Sequence, residues 1–556
     1  METQNIKIIA AVCCLLAIVL CGADGFGNIL VTKHNLSASG PGTVTATEED
    51  RVCIFCHTPH HATSVAPLWS RSLSNSIYNL YGSSTLVAQP GQPTGASRLC
   101  LSCHDGTIAI GMIQGMDASI SLMGGITVMP SGLSNLETDL SDDHPISFVY
   151  DSVLAGQRGE LKDPLSLPSE IKLEDGKLLQ CTSCHNPHKD PHGMFLVMSN
   201  SSSALCVSCH DKTGWEGSSH ATNIAIAEQG CQNCHQPHGA PGAKHLLQSE
   251  VEEGTCLTNC HNGVGEGGNI QSSTSKFYRH PMNYANGVHD VTEVPMSMAK
   301  HVECADCHNP HRVNQQSAPL SAPPHISGRL AGVSGVSNLN TILPEASYEY
   351  EVCFKCHSQN SFVGTEQIIR LVHDTDERNR FDGVSGSYHP VTRDASGSVP
   401  GLKLDYQFVT RIYCTDCHGD SDSIKAGGVG ANGPHGSAYQ YILIDQYVTD
   451  QGPYSSSNYA LCFRCHEETA LFDPASSNFS YGLRNSHQTH VIGKNITCSA
   501  CHDPHGVSAA AGGTSLGNAH LINFDSRYVD PVGVYNSIER SCTVSCHKRN
   551  GGTHSY

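Results

Sequence analysis

The sequence predicts mostly irregular backbone with short helices and little sheet, packed around prosthetic groups and repeated as six two-site modules. Three observations lead there. Hydrophobic residues make up only 38% and aromatics 6% of the 556 residues, against 53 glycines and 27 prolines. Side chains alone then supply too little apolar area to offset the conformational entropy of so long a chain. Paired cysteines that run into a histidine recur twelve times. A proline two residues beyond that histidine follows most first copies and stops any helix begun there.

The N-terminus reads as an export signal over residues 1–25. Lys7 precedes an apolar run, Ile8 to Leu20, too short to span a bilayer, and small residues Gly22, Ala23 and Gly25 follow. Cys21 is a lipidation candidate, though the bulky Leu20 before it disfavours that. No later stretch is long enough for a transmembrane segment. The net charge of −19 argues against nucleic acid and anionic membrane surfaces as partners.

Of 27 cysteines, Cys13, Cys14 and Cys21 belong to the signal region, and the other 24 are all paired. Ten pairs read C-x-x-C-H: Cys53, Cys56 and His57; Cys100, Cys103 and His104; Cys181, Cys184 and His185; Cys206, Cys209 and His210; Cys231, Cys234 and His235; Cys304, Cys307 and His308; Cys353, Cys356 and His357; Cys414, Cys417 and His418; Cys462, Cys465 and His466; Cys498, Cys501 and His502. Two more carry one extra residue: Cys256, Cys260 and His261, and Cys542, Cys546 and His547. Chance would produce roughly 0.1 C-x-x-C-H match in a chain of this composition. Two thiols at this spacing form thioethers to the two vinyl groups of one haem, and the adjacent histidine is held under the iron as proximal ligand. Zinc ribbons need no histidine after every pair, a thioredoxin-like site would occur once, and a disulfide framework has no cysteine left over. The expected cofactor is twelve covalent haems c.

The motifs fall into six modules of two, expected over 26–130, 131–214, 215–275, 276–375, 376–475 and 476–556. The clearest runs Cys181-Thr-Ser-Cys-His-Asn-Pro-His188, then apolar Met194 to Met198, then the motif at Cys206. Short helices are expected over 364–373 and before several second motifs, a strand over Tyr439 to Ile444, and loops over 263–275, 315–336 and 394–401.

The C-x-x-C-H-x-P-H segment followed by a second C-x-x-C-H resembles the doubled-motif multihaem cytochromes exported by metal-respiring bacteria. The fifth module departs from that pattern, with Gly419-Asp420 after its first motif and His435 in Gly-Pro-His-Gly further on. With 22 histidines outside the motifs, the resemblance implies bis-histidine ligation throughout. Distal candidates recur upstream of each first motif, at His34, His144, His220, His280, His389 and His490. A second set follows the first motifs, at His60, His188, His238, His311, His435 and His505. His301 is the reserve for His280, His487 for His490, and His520 stands in reserve for His505. A histidine of the x-Pro-His type lies too near its own proximal histidine to reach the opposite face of the same haem, so it should serve a neighbour. His61, His192, His245, His289, His325, His373 and His554 read as surface or supporting groups, and Met194 and Met198 as packing.

Twelve closely spaced haems imply an electron-transfer conduit and no catalytic residues. The resemblance places it at the outer membrane, outside the cell or in the periplasm, with redox partner proteins and extracellular metal acceptors. Two alternatives stay open: a multihaem reductase with one open haem, and the subunit of a conducting homopolymer.

Overall fold

In a computed structural model the structure describes residues 29–60, 62, 68–265, 267–282, 289–295, 297–298, 301–314, 322–359, 368–382, 387–395, 401–477, 479–481, 483–529, 533–544 and 552–555. The export signal, His61, Cys546 and His547 lie outside them. The chain divides into two units, residues 1–213 with 226–250, and 214–225 with 251–556. Cys231 and Cys256, one module by spacing, fall in different units.

Backbone pairing is sparse, as a chain this rich in glycine and proline dictates. The longest helices among the described residues are Gly95–His104 and Glu349–His357, and each ends on an attachment motif. Ala204–Val207 and Glu252–Leu257 likewise lead into second motifs. Most strands have two residues, such as Phe148–Val149 antiparallel to Leu178–Leu179. Among the described residues one sheet has three strands, Val534–Asn536, Ser541–Val544 and Gly552–Ser555. No described helix is long and apolar enough to cross a membrane.

Three sequence expectations are corrected. Tyr439 to Ile444 is not a strand but a single 3-10 turn at Gln440–Ile442, with Tyr441 in the left-handed region. Residues 368–373, the described part of 364–373, form bends and a bridge without helix. The 263–275 loop contains a helix, Ile270–Thr274, because Asn269 caps it by accepting from the Ser272 N–H.

Apolar side chains collect in small separate clusters. The first unit holds one around Phe148, Tyr150 and Leu154 and another around Phe55, Ile110 and Leu122. The second holds clusters around Val336, Tyr350 and Phe354 and around Phe524 and Tyr535. Irregular backbone leaves carbonyls that need donors, and buried arginines supply several. Arg71 donates to Ile110, Ala109 and Ser102, and Arg370 to Ser499, Asn523 and His502.

Candidate functional site

Each standard motif closes on itself as one helical turn. The His185 N–H donates to Cys181 O at 2.9 Å, and the same bond recurs at His57, His210, His235, His308, His418, His466 and His502. The longer motif absorbs its extra residue by closing one residue wider, from the His261 N–H to Cys256 O at 3.1 Å. Thiols and imidazole therefore leave the backbone together in both versions. None of the described attachment cysteines is in a disulfide, and burial pushes many of the thiols up, Cys56 and Cys184 to about 12.

After most first motifs the chain returns through a two-residue left-handed turn: Met194-Phe195, His245-Leu246, Tyr441-Ile442 and His520-Leu521, with φ between 51° and 62°. Non-glycine residues there cost about 1–2 kcal/mol each, so the repetition marks a job. The first residue of each turn turns its carbonyl to the motif histidine. His185 Nδ1 donates to Met194 O, His235 to His245 O, His418 to Tyr441 O and His502 to His520 O, all at 2.8 to 2.9 Å. His104, His261 and His308 bond the Ser134, Gly267 and Arg329 carbonyls in the same way. A ligating imidazole fixes its tautomer by such a bond, leaving Nε2 for the metal. His245 and His520 thus act through their backbone, the role sequence reading missed; two adjacent non-glycine turn residues carry no compositional signal.

The structure then sets a second imidazole opposite ten of the motif histidines. His57 faces His188 with ring centroids 6.2 Å apart, His104 faces His34 at 6.1 Å, His185 faces His238 at 6.2 Å and His210 faces His144 at 6.1 Å. In the second unit His261 faces His220 at 6.3 Å, His308 faces His435 at 6.1 Å, His357 faces His280 at 6.4 Å, His418 faces His505 at 5.8 Å, His466 faces His389 at 6.4 Å and His502 faces His487 at 6.3 Å. Two imidazoles bound through one nitrogen each at about 2 Å from a shared metal have centroids about 6 Å apart. Direct stacking is closer, as the 4.2 Å between His34 and Phe195 shows. The donor set and its spacing fit a haem between each pair. Burial, the main cause, holds His210 down to about 3 and His280, His418, His466 and His502 to about 4, keeping them in the neutral, ligating form.

The distal candidates divide by support. His34, His220, His280 and His389 donate Nδ1 to the carbonyls of Pro187, Pro310, Pro434 and Pro504, each the proline just before another distal candidate. His144 uses its backbone N–H on Pro237 O instead. His238 bonds Asp143 Oδ1 at 3.0 Å, and His505 Nδ1 lies 2.8 Å from Glu377 Oε2. His60 is exposed and stands beside no motif histidine among the described residues. His487, the reserve, is the one facing His502, while His490 bonds Ser486 O and stacks on Phe479. His301 faces no motif histidine in the pairs above, and His311 packs edge-on to Trp215.

The family model for outer membrane cytochromes of the MtrC/MtrF-like type, domains II/IV, matches residues 337–512, and the doubled CXXCH motif model matches residues 174–214. No curated protein matches the chain. The matched segments hold part of the geometry just described, and with the attachment motifs they give the chain its class: it is a multihaem c-type cytochrome, similar over 337–512 to the MtrC/MtrF-like outer membrane cytochromes.

Proposed function

We propose that the chain carries twelve bis-histidine haems, in file within each unit, and conducts electrons at the outer membrane or outside the cell. One observation carries this reading: within each unit, cysteines of successive attachment motifs lie beside one another. Within the first unit the Cys56 thiol interacts with Cys103, the Cys100 thiol hydrogen-bonds the Cys181 thiol, Cys184 interacts with Cys209, and the Cys206 thiol hydrogen-bonds the Cys231 thiol. In the second unit the Cys304 thiol hydrogen-bonds the Cys256 thiol, Cys307 interacts with Cys353, the Cys414 thiol hydrogen-bonds the Cys353 thiol, Cys417 interacts with Cys465, and Cys462 with Cys498. Haem supplies the one-electron iron couple when bound. The chain's residues fix spacing and axial positions, and the ten imidazole pairs leave those sites closed to substrate.

His487 replaces His60 in the proposed distal set, and His311 and His490 remain in it. The wider loop at Cys256 closes as the standard loops do, which supports its attachment as a full site. The outer-membrane setting rests on the family matched over 337–512, and redox partner proteins and extracellular metal acceptors follow from that setting.

Intact mass and a pyridine haemochrome assay should give twelve haems per chain; ten would exclude the two wider motifs. The oxidised protein should be wholly low-spin, and the reduced protein should bind little carbon monoxide and be promptly reoxidised by a soluble iron chelate. A high-spin haem whose spectrum responds to a small substrate would replace the conduit with a reductase.

A further inference from the structure

His289, His301 and Glu303 bring one ligand atom each within 4.8 Å of one another, and neither histidine belongs to an imidazole pair described above. His280 faces His357, so His301 is not needed there, and His289 had no assignment from the repeat. Asp306 sits between the two imidazoles, its Oδ1 3.1 Å from His289 Nδ1 and its Oδ2 3.9 Å from His301 Nε2. Glu293 Oε2 lies 3.0 Å from His301 Nε2.

The cluster is buried and its hydrogen bonding is incomplete. Glu303 is 5% exposed and Asp306 4%. Among the described residues Glu303 Oε2 has no hydrogen-bond partner, and neither His289 Nδ1 nor Glu293 Oε2 makes an aligned hydrogen bond despite its close neighbour. Leaving such atoms dry and unsatisfied is costly. Charge points the same way. Glu252 and Glu253, both buried, interact with Glu303, so five carboxylates gather here. Lys355 is the cation beside Asp306, and its Nζ donates to the Asp306 carbonyl.

We propose that His289, His301 and Glu303 bind a divalent transition-metal ion of the zinc class, with Asp306 orienting the His289 imidazole. Two imidazoles and a carboxylate are a common donor set for such ions, whereas calcium and magnesium take oxygen. Donors about 2.1 Å from a tetrahedral ion sit about 3.4 Å apart, a contraction that side-chain rotation supplies. The imidazole side chains are 16% and 14% exposed, which leaves an entry path. The ion neutralises a buried negative cluster directly before the haem attachment at Cys304.

The test uses the full holoprotein, stripped with a chelator, loaded with zinc and gel-filtered, with zinc counted by mass spectrometry and haem by the haemochrome assay. Wild type should retain one zinc per chain, and His289→Ala and Glu303→Gln should each weaken retention at least tenfold with haem content unchanged. Glu303 adjoins Cys304, so if Glu303→Gln loses haem, His289→Ala decides alone. Zinc-edge X-ray absorption on the wild type should show two imidazoles together with oxygen ligands. No retained zinc, equal retention in His289→Ala, or a shell without imidazole would overturn the site, whatever the haem count.

Discussion

In the repeat built on Cys181 and Cys206, the imidazole opposite His185 is His238, from the next repeat, whereas the one opposite His210 is His144, from ahead of both motifs in the same repeat. The same division holds for His57 with His188, His308 with His435 and His418 with His505 on one side. On the other stand His104 with His34, His261 with His220, His357 with His280 and His466 with His389. Apart from His502, faced by His487 of its own repeat, these first sites face imidazoles from the next repeat and these second sites face imidazoles from within their own. The x-Pro-His segment joins the two: its histidine faces a first site while its proline carbonyl holds the imidazole of a second, as Pro187 does for His34 and His188 for His57. A repeat is therefore a unit of sequence and not a unit of imidazole pairing.

The largest effect should come from breaking one arm of that comparison. On the proposed ligation, His188→Ala opens the haem at Cys53, not the one at Cys181, and gives one high-spin, carbon-monoxide-binding site per chain. His144→Ala should open the haem at Cys206, inside its own repeat. Site-resolved paramagnetic NMR distinguishes the two, and loss of low-spin character at Cys181 in His188→Ala would dismantle the interleaving. A smaller effect is expected where a carboxylate replaces a carbonyl behind the distal imidazole. Asp143→Asn and Glu377→Gln should raise the potentials of the haems at Cys181 and Cys414, because a carboxylate makes the imidazole more basic and favours the ferric state. A rise of about 60 mV corresponds to one factor of ten for a one-electron couple. Spectroelectrochemistry showing no shift in either variant would reduce these carboxylates to packing. Smallest should be Pro504→Ala, which keeps the carbonyl that accepts from His389 and loses only backbone stiffness, about 0.4–1 kcal/mol of stability. Thermal denaturation checks the loss, and the haem at Cys462 should stay low-spin.

The attachment sites were legible because their chemistry is local: thiols and imidazole must lie within one turn, so spacing alone reports them. Most facing histidines were legible because they recur at fixed places in the repeat. The exceptions depart from that periodicity. His60, in the x-Pro-His segment of the first module, is exposed. His502, in the sixth module, is faced by His487, which is close in sequence and not in an x-Pro-His segment. The strand expected over Tyr439 to Ile444 failed for another reason. Its apolar alternation fits an extended segment, but the carbonyl of Tyr441 is needed by His418, and the backbone turns left-handed to present it. The His289 cluster was invisible because Glu252 and Glu303 meet only after the chain has folded back on itself.

The dependence of first sites on the following repeat also governs how this chain matures. A polypeptide exported N-terminus first presents His57 long before His188 has emerged, and His308 long before His435. Each early site must wait for a segment far along the thread, and contacts of such sequence separation are the slow ones to form. On the proposed ligation, repeats should therefore lock in overlapping order, while the site of His502, faced by His487, can finish within its own repeat.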